Sequence, residues 1–89
     1  MNYIEMQKLN YAYSLETPSI WHKHCAGGLF VYDAQTNRLE FWFNDANGVH
    51  RLWESTLIKS EDDFPTALLK AERDIYRPFT DLEPLILNI

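Results

Sequence analysis

Gly27-Gly28-Leu29-Phe30-Val31-Tyr32-Asp33, then Ala34-Gln35-Thr36-Asn37-Arg38, then Leu39-Glu40-Phe41-Trp42-Phe43-Asn44, then Asp45-Ala46-Asn47-Gly48, then Val49-His50-Arg51-Leu52-Trp53: this stretch decides the fold. Three short runs rich in aromatic and β-branched residues alternate with two polar turn clusters. That is the pattern of an antiparallel meander over residues 28–54. Pairing Asp33 with Arg38 across the loop Ala34 to Asn37 puts Phe30 and Tyr32 on one face with Leu39, Phe41 and Phe43. Leu29 and Val31 share the other face with Glu40 and Trp42. The first face is the expected core, because it carries five large apolar groups and no charge. The second is either covered by another element or is an aromatic patch that binds something.

The second turn has two readings. A two-residue Asn47-Gly48 turn sets Phe43 opposite Leu52 and Trp42 opposite Trp53. A type I turn over Asp45-Ala46-Asn47-Gly48 with a glycine bulge moves the register by one and brings Trp53 to the core face with Phe41. Asp first and Gly fourth favour the second.

Working outward, Phe64, Ala67, Leu68, Ala71 and Ile75 form one apolar stripe at helical spacing, predicting a main helix over about 64–76. Asp63 is its expected N-cap, Glu61 and Asp62 stand at the positive end of its dipole, and Pro78 is expected to end it. Lys70, Glu72 and Arg73 are assigned to the solvent side. Leu57 and Ile58 are expected to anchor the crossing from the meander to this helix. The apolar tail is expected to pack, as an edge strand beginning after Pro84.

Upstream, Leu9, Tyr11, Tyr13 and Leu15 alternate with polar or small residues, favouring a fourth strand over 9–15, with a helix from Asn2 to Tyr13 as the alternative. Thr17-Pro18 resembles a helix start, which predicts a short helix over 18–26 capped by Gly27. Ile20, Trp21, His24 and Cys25 would then share a face. The competing reading is an extended segment in which His22 and His24 point the same way. The expected class is α+β: one domain of 89 residues, with three or four antiparallel strands packed by one main helix.

Thirteen acidic residues against eight basic give a net charge of −5. This argues against direct nucleic-acid binding, which needs a basic stripe, and fits a basic protein partner. One cysteine, Cys25, excludes an internal disulfide and points to a reducing compartment. No basic segment followed by an apolar run opens the chain, and no apolar run approaches a membrane-spanning length, so a cytoplasmic protein without membrane association is expected.

Candidate chemistry is sparse. His22, His24, Cys25 and His50 are potential zinc ligands, but paired metal-site spacing is absent. Cys25 before Gly27-Gly28, with His50 as base, has the makings of a thiol nucleophile with a backbone oxyanion hole, although any chain with these residue types permits that assignment. Gly27-Gly28 lacks the spacing of a phosphate loop. No metal, cofactor or catalytic residue is assigned. The best interaction candidates are Trp42 and Trp53, with Glu40, Glu54, Glu61, Asp62 and Asp63 as acidic contacts. The leading expectation is therefore a non-enzymatic binder or inhibitor of a basic or nucleic-acid-handling protein. Its size and charge are those of phage inhibitors and immunity proteins, an analogy without a shared motif. The alternatives are a small metal- or thiol-dependent enzyme using the His–Cys cluster, and a homodimer that buries the second face against its own copy.

Overall fold

A computed structural model describes residues 3–59 and 63–86, with side chains described as far as Leu82. In chain order the elements are α1 (Tyr3–Lys8), β1 (Ala12–Tyr13), β2 (Ile20–Cys25), β3 (Gly28–Asp33), β4 (Arg38–Asn44), β5 (His50–Leu57) and α2 (Phe64–Ile86). The strands form one antiparallel sheet in the order β1-β2-β3-β4-β5. The α+β class holds, with five strands rather than three or four.

The extra strand comes from residues 20–25, which are extended rather than helical. The reason lies at both ends. Pro18-Ser19 occupies the middle of a tight turn, with Ile20 N–H donating to the Thr17 carbonyl at 3.3 Å and Ser19 at φ 73°. Proline followed by a positive φ is the signature of a type II turn, and a left-handed residue stops any helix there. Gly27, at φ 85°, closes the two-residue loop of the β2–β3 hairpin, in which Cys25 pairs with Gly28. It is a hairpin residue and not a helix cap. Gly28 is required for a different reason. A Cβ there would overlap the Phe41 ring and the Trp42 carbonyl oxygen.

The N-terminal segment divides into both expected forms. It is helical to Lys8, and Asn10 at φ 68° ends that helix as Tyr11 N–H donates to the Met6 carbonyl at 3.0 Å. Only Ala12–Tyr13 then join the sheet.

Asp33 pairs with Arg38, and Phe30, Tyr32, Leu39, Phe41 and Phe43 are all buried. Asn37 pins this hairpin to the segment after β5. Its amide donates to the Ile58 carbonyl at 2.8 Å, and its side-chain oxygen accepts from the Tyr32 hydroxyl at 2.6 Å. Ile58 is buried, whereas Leu57 is exposed at the sheet edge, so one of the two expected anchors serves. At the second turn, Gly48 N–H donates to the Asp45 carbonyl at 3.0 Å, with Gly48 at φ 77°. Trp42 pairs with Leu52, as the four-residue turn requires. A bulge then follows, because Phe41 pairs with Glu54 and Trp53 is the extra residue. Trp53 packs on the core side, 5.6 Å from the Phe79 ring and 6.3 Å from Phe43.

α2 lies on this core face. Asp63 caps it, accepting from Thr66 N–H and Thr66 Oγ1 at 3.3 and 2.8 Å. Leu68 and Ile75 are buried, with Phe64, Ala67 and Ala71 packed beside them. The helix runs on through Pro78 and Pro84 to Ile86, so Pro78 does not end it; Leu85 and Ile86 are helical rather than the start of an edge strand, and the rest of that expected strand lies outside the described residues. Proline removes one N–H and crowds the preceding turn. The compensation is Phe79, fully buried with its ring centroid 4.8 Å from Phe41 and 5.5 Å from Phe43.

Glu72 is the second correction on α2. It is buried, not solvent-facing. Tyr11 Oη donates to its Oε2 at 2.9 Å and Lys23 Nζ to its Oε1 at 2.7 Å. Burial, reinforced by the Glu72 charge, holds the Tyr11 phenol far above the ordinary tyrosine range.

Candidate functional site

Side chains alternate along every strand, so a sheet packed on one face presents a second set on the other. The registers build that set as rows across the strands. One row is His24, Leu29, Trp42 and Leu52; the next is His22, Val31, Glu40 and Ser55; a third is Ile20, Asp33, Arg38 and Leu57. The buried core cluster, including Met6 of α1 and Leu68, Ile75 and Phe79 of α2, lies on the opposite face with Phe30, Phe41 and Trp21. Among the described residues, no element covers the outer face.

Its centre is apolar and its rim is polar. Leu29, Val31 and Trp42 are half-buried, and Leu52 is exposed. Trp42 Nε1 donates to Glu40 Oε1 at 3.3 Å, which restrains the indole beside its neighbour two residues back on the same strand. Arg38 donates to Ser55 Oγ at 3.0 Å, within the face. Asp33 and Glu40 are the carboxylates of these rows and Arg38 is their one permanent cation.

At one end of the sheet, His24, Leu29, Trp42, Asn44 and His50 border an open concavity of about 390 Å³, together with Cys25 and the Gly27-Gly28 turn. The sequence-level cluster is therefore partly assembled in space. His22 lies one row away from it, in line with Val31. Its chemistry is weak. β2 sends His22 and His24 to the outer face, while Cys25 packs against the core side. Among the described residues, no three of His, Cys, Asp and Glu come together in a way that would hold a metal ion. Burial, and next the nearby Glu72 carboxylate, push the Cys25 thiol up from its ordinary value. Less thiolate is then present at pH 8. Iodoacetamide should alkylate Cys25 several-fold more slowly than an unstructured-peptide cysteine at that pH. The rate should keep rising at pH values where the peptide thiol has levelled off.

The partner-contact candidates separate. Trp42 and Glu40 stand on the outer face. Trp53 is on the core side, so it does not extend the Trp42 patch. Glu54 opposes Phe41 and faces the groove beside α2. Asp63 is spent on capping, and hydrogen bonds from Thr66 hold its carboxyl below the usual range. Glu61 and Asp62 lie outside the described residues. Sequence reasoning missed Leu52 and Ile20. The alternation Ile20-x-His22-x-His24 was the available signal for the latter, and Leu52 depended on the turn register.

Comparison with protein-family models, curated proteins and solved structures finds no match to this chain. No described helix is long and apolar enough to cross a membrane.

Proposed function

We propose that this chain is a non-enzymatic interaction module that binds a basic protein through the outer face of its sheet, as a stoichiometric binder or inhibitor. The observation that carries this reading is an apolar centre, Leu29, Val31, Trp42 and Leu52, on a sheet face that no described element covers. A tryptophan set among aliphatic neighbours and ringed by polar groups is the usual composition of an interface hot spot. The charge supports the choice of partner. The net charge is −5, and two cations, Lys23 and Arg51, are engaged internally with Glu72 and Asp45. Asp33 and Glu40 against the single Arg38 leave these rows with one carboxylate in excess. Association with a basic surface would be fast at low salt and slow as salt screens it.

Trp42→Ala is expected to lower partner affinity by about 2 kcal/mol or more, roughly thirtyfold. The same change should leave the cooperative unfolding transition in place, because the indole is outside the buried core. The paired readout is isothermal titration with the co-purified partner and a urea melt. A variant that binds normally, or one that unfolds, removes the outer face as the docking surface.

A further inference from the structure

Glu40 stands where a charge is least expected. Val31 and Ser55 flank it in its own row, and the next row holds Leu29, Trp42 and Leu52, the apolar centre of the outer face. The residue is half-buried, so its carboxylate has already lost part of its water. One of its two oxygens is engaged. Oε1 accepts from Trp42 Nε1 at 3.3 Å, and among the described residues no group donates to Oε2. Among the described side chains, no buried oxygen lacks a partner, so Oε2 is open to solvent. Arg38, two residues back on the same face, does not fill the place. Its guanidinium donates to Ser55 Oγ at 3.0 Å and makes no ion pair with Glu40.

This arrangement is stable in water and costly once covered. A protein seated on Leu29, Val31 and Trp42 strips water from the Glu40 carboxylate as well. A carboxylate closed into an interface without a counter-charge opposes binding, so the partner has to bring a cation to Oε2. That cation also meets the indole, because the Nε1 hydrogen bond holds the ring beside the carboxylate. A guanidinium satisfies both groups at once. Its flat fork stacks on an aromatic ring while its edge donates to a carboxylate oxygen, whereas an ammonium is a compact, strongly hydrated point charge. Its hydrocarbon stem suits the aliphatic neighbours Leu29 and Val31.

We propose that Trp42 and Glu40 form a subsite for an arginine side chain of the protein partner, stacked on the indole and donating to Glu40 Oε2. The inference rests on the outer face being the docking surface. It adds what the centre of that surface selects, an arginine set among aliphatic neighbours in preference to a lysine or a neutral residue.

The test uses three acetylated and amidated tripeptides, Leu-Arg-Leu, Leu-Lys-Leu and Leu-citrulline-Leu. Each is titrated into the isotopically labelled chain and followed by the indole and backbone N–H signals. Citrulline keeps the shape of arginine and lacks its charge. The arginine peptide is expected to shift the Trp42 indole signal together with the backbone signals of Leu29, Val31 and Glu40. It should bind roughly tenfold tighter than the lysine and citrulline peptides. Glu40→Gln keeps an oxygen for the indole and removes the charge, so it should erase the preference for arginine over citrulline. Unchanged dispersion of the remaining signals separates a lost contact from a lost fold. Equal binding of the three peptides on the outer face, or an arginine preference that survives Glu40→Gln, would overturn the subsite and leave the face as a docking surface. Shifts confined to other surfaces, or absent with all three peptides, would overturn the subsite and count against the face itself.

Discussion

Replacing Phe79 with alanine is expected to destabilise the domain by about 3–5 kcal/mol, the range for deleting a buried phenylalanine. Phe79 is fully buried and its ring meets Phe41, Phe43, Trp53 and Tyr76. The rings of Phe41, Phe43 and Trp53 are held by strands of the sheet and that of Tyr76 by α2 itself, which limits collapse into the space. Its position also matters. Pro78 precedes it inside α2, and an interior proline costs a helix about 3 kcal/mol. The second half of α2 is helical because tertiary packing at Phe79 outweighs that cost. The alanine variant should therefore lose helicity as well as stability. Urea unfolding followed by far-UV circular dichroism measures both. A loss under 1 kcal/mol with unchanged ellipticity would mean that α2 beyond Pro78 is not held by this ring.

Glu72→Ala is expected to cost about 2–3 kcal/mol by a different route. The carboxylate accepts from Tyr11 and Lys23, and its removal leaves a shielded ammonium and a buried phenol without their partner. Breaking one side of a buried pair costs more than the pair contributes, because the remaining charge is stranded. The Lys23 side chain retains some exposure, which places the effect below that of a fully enclosed pair. Glu72→Gln keeps the size and an acceptor for Tyr11, so it should cost less. A double-mutant cycle with Lys23→Met isolates the pair: the second change should recover part of the loss. Additive losses would show that Lys23 and Glu72 stabilise independently.

The meander was legible because its alternation is strong. Phe30, Tyr32, Leu39, Phe41 and Phe43 are apolar on one side, and the Asp33–Arg38 pairing follows from the loop length. Turn chemistry was equally informative at Asp45 to Gly48, where it set the register and sent Trp53 inward. β2 was harder. Its inward set, Trp21, Lys23 and Cys25, mixes charge with apolar groups, and its outward set, Ile20, His22 and His24, mixes an aliphatic side chain with polar imidazoles. Lys23 turns inward only because Glu72 waits there, and a partner 49 positions away leaves no local trace. Glu72 was placed in solvent for the same reason. Pro78 was read by its intrinsic cost, which Phe79 overrides through contacts invisible in a helical window. The patch around Trp42 was visible as a pattern. Its exposure was not, because it depends on both helices packing on the opposite face.

The most direct measurement is native mass spectrometry of the wild-type chain and of Trp42→Ala, each affinity-purified from the protein's own cells. A basic protein is expected at one partner per chain on the wild type and absent from the variant. The same complex retained by Trp42→Ala, or no bound protein on either chain, would contradict docking through the outer face.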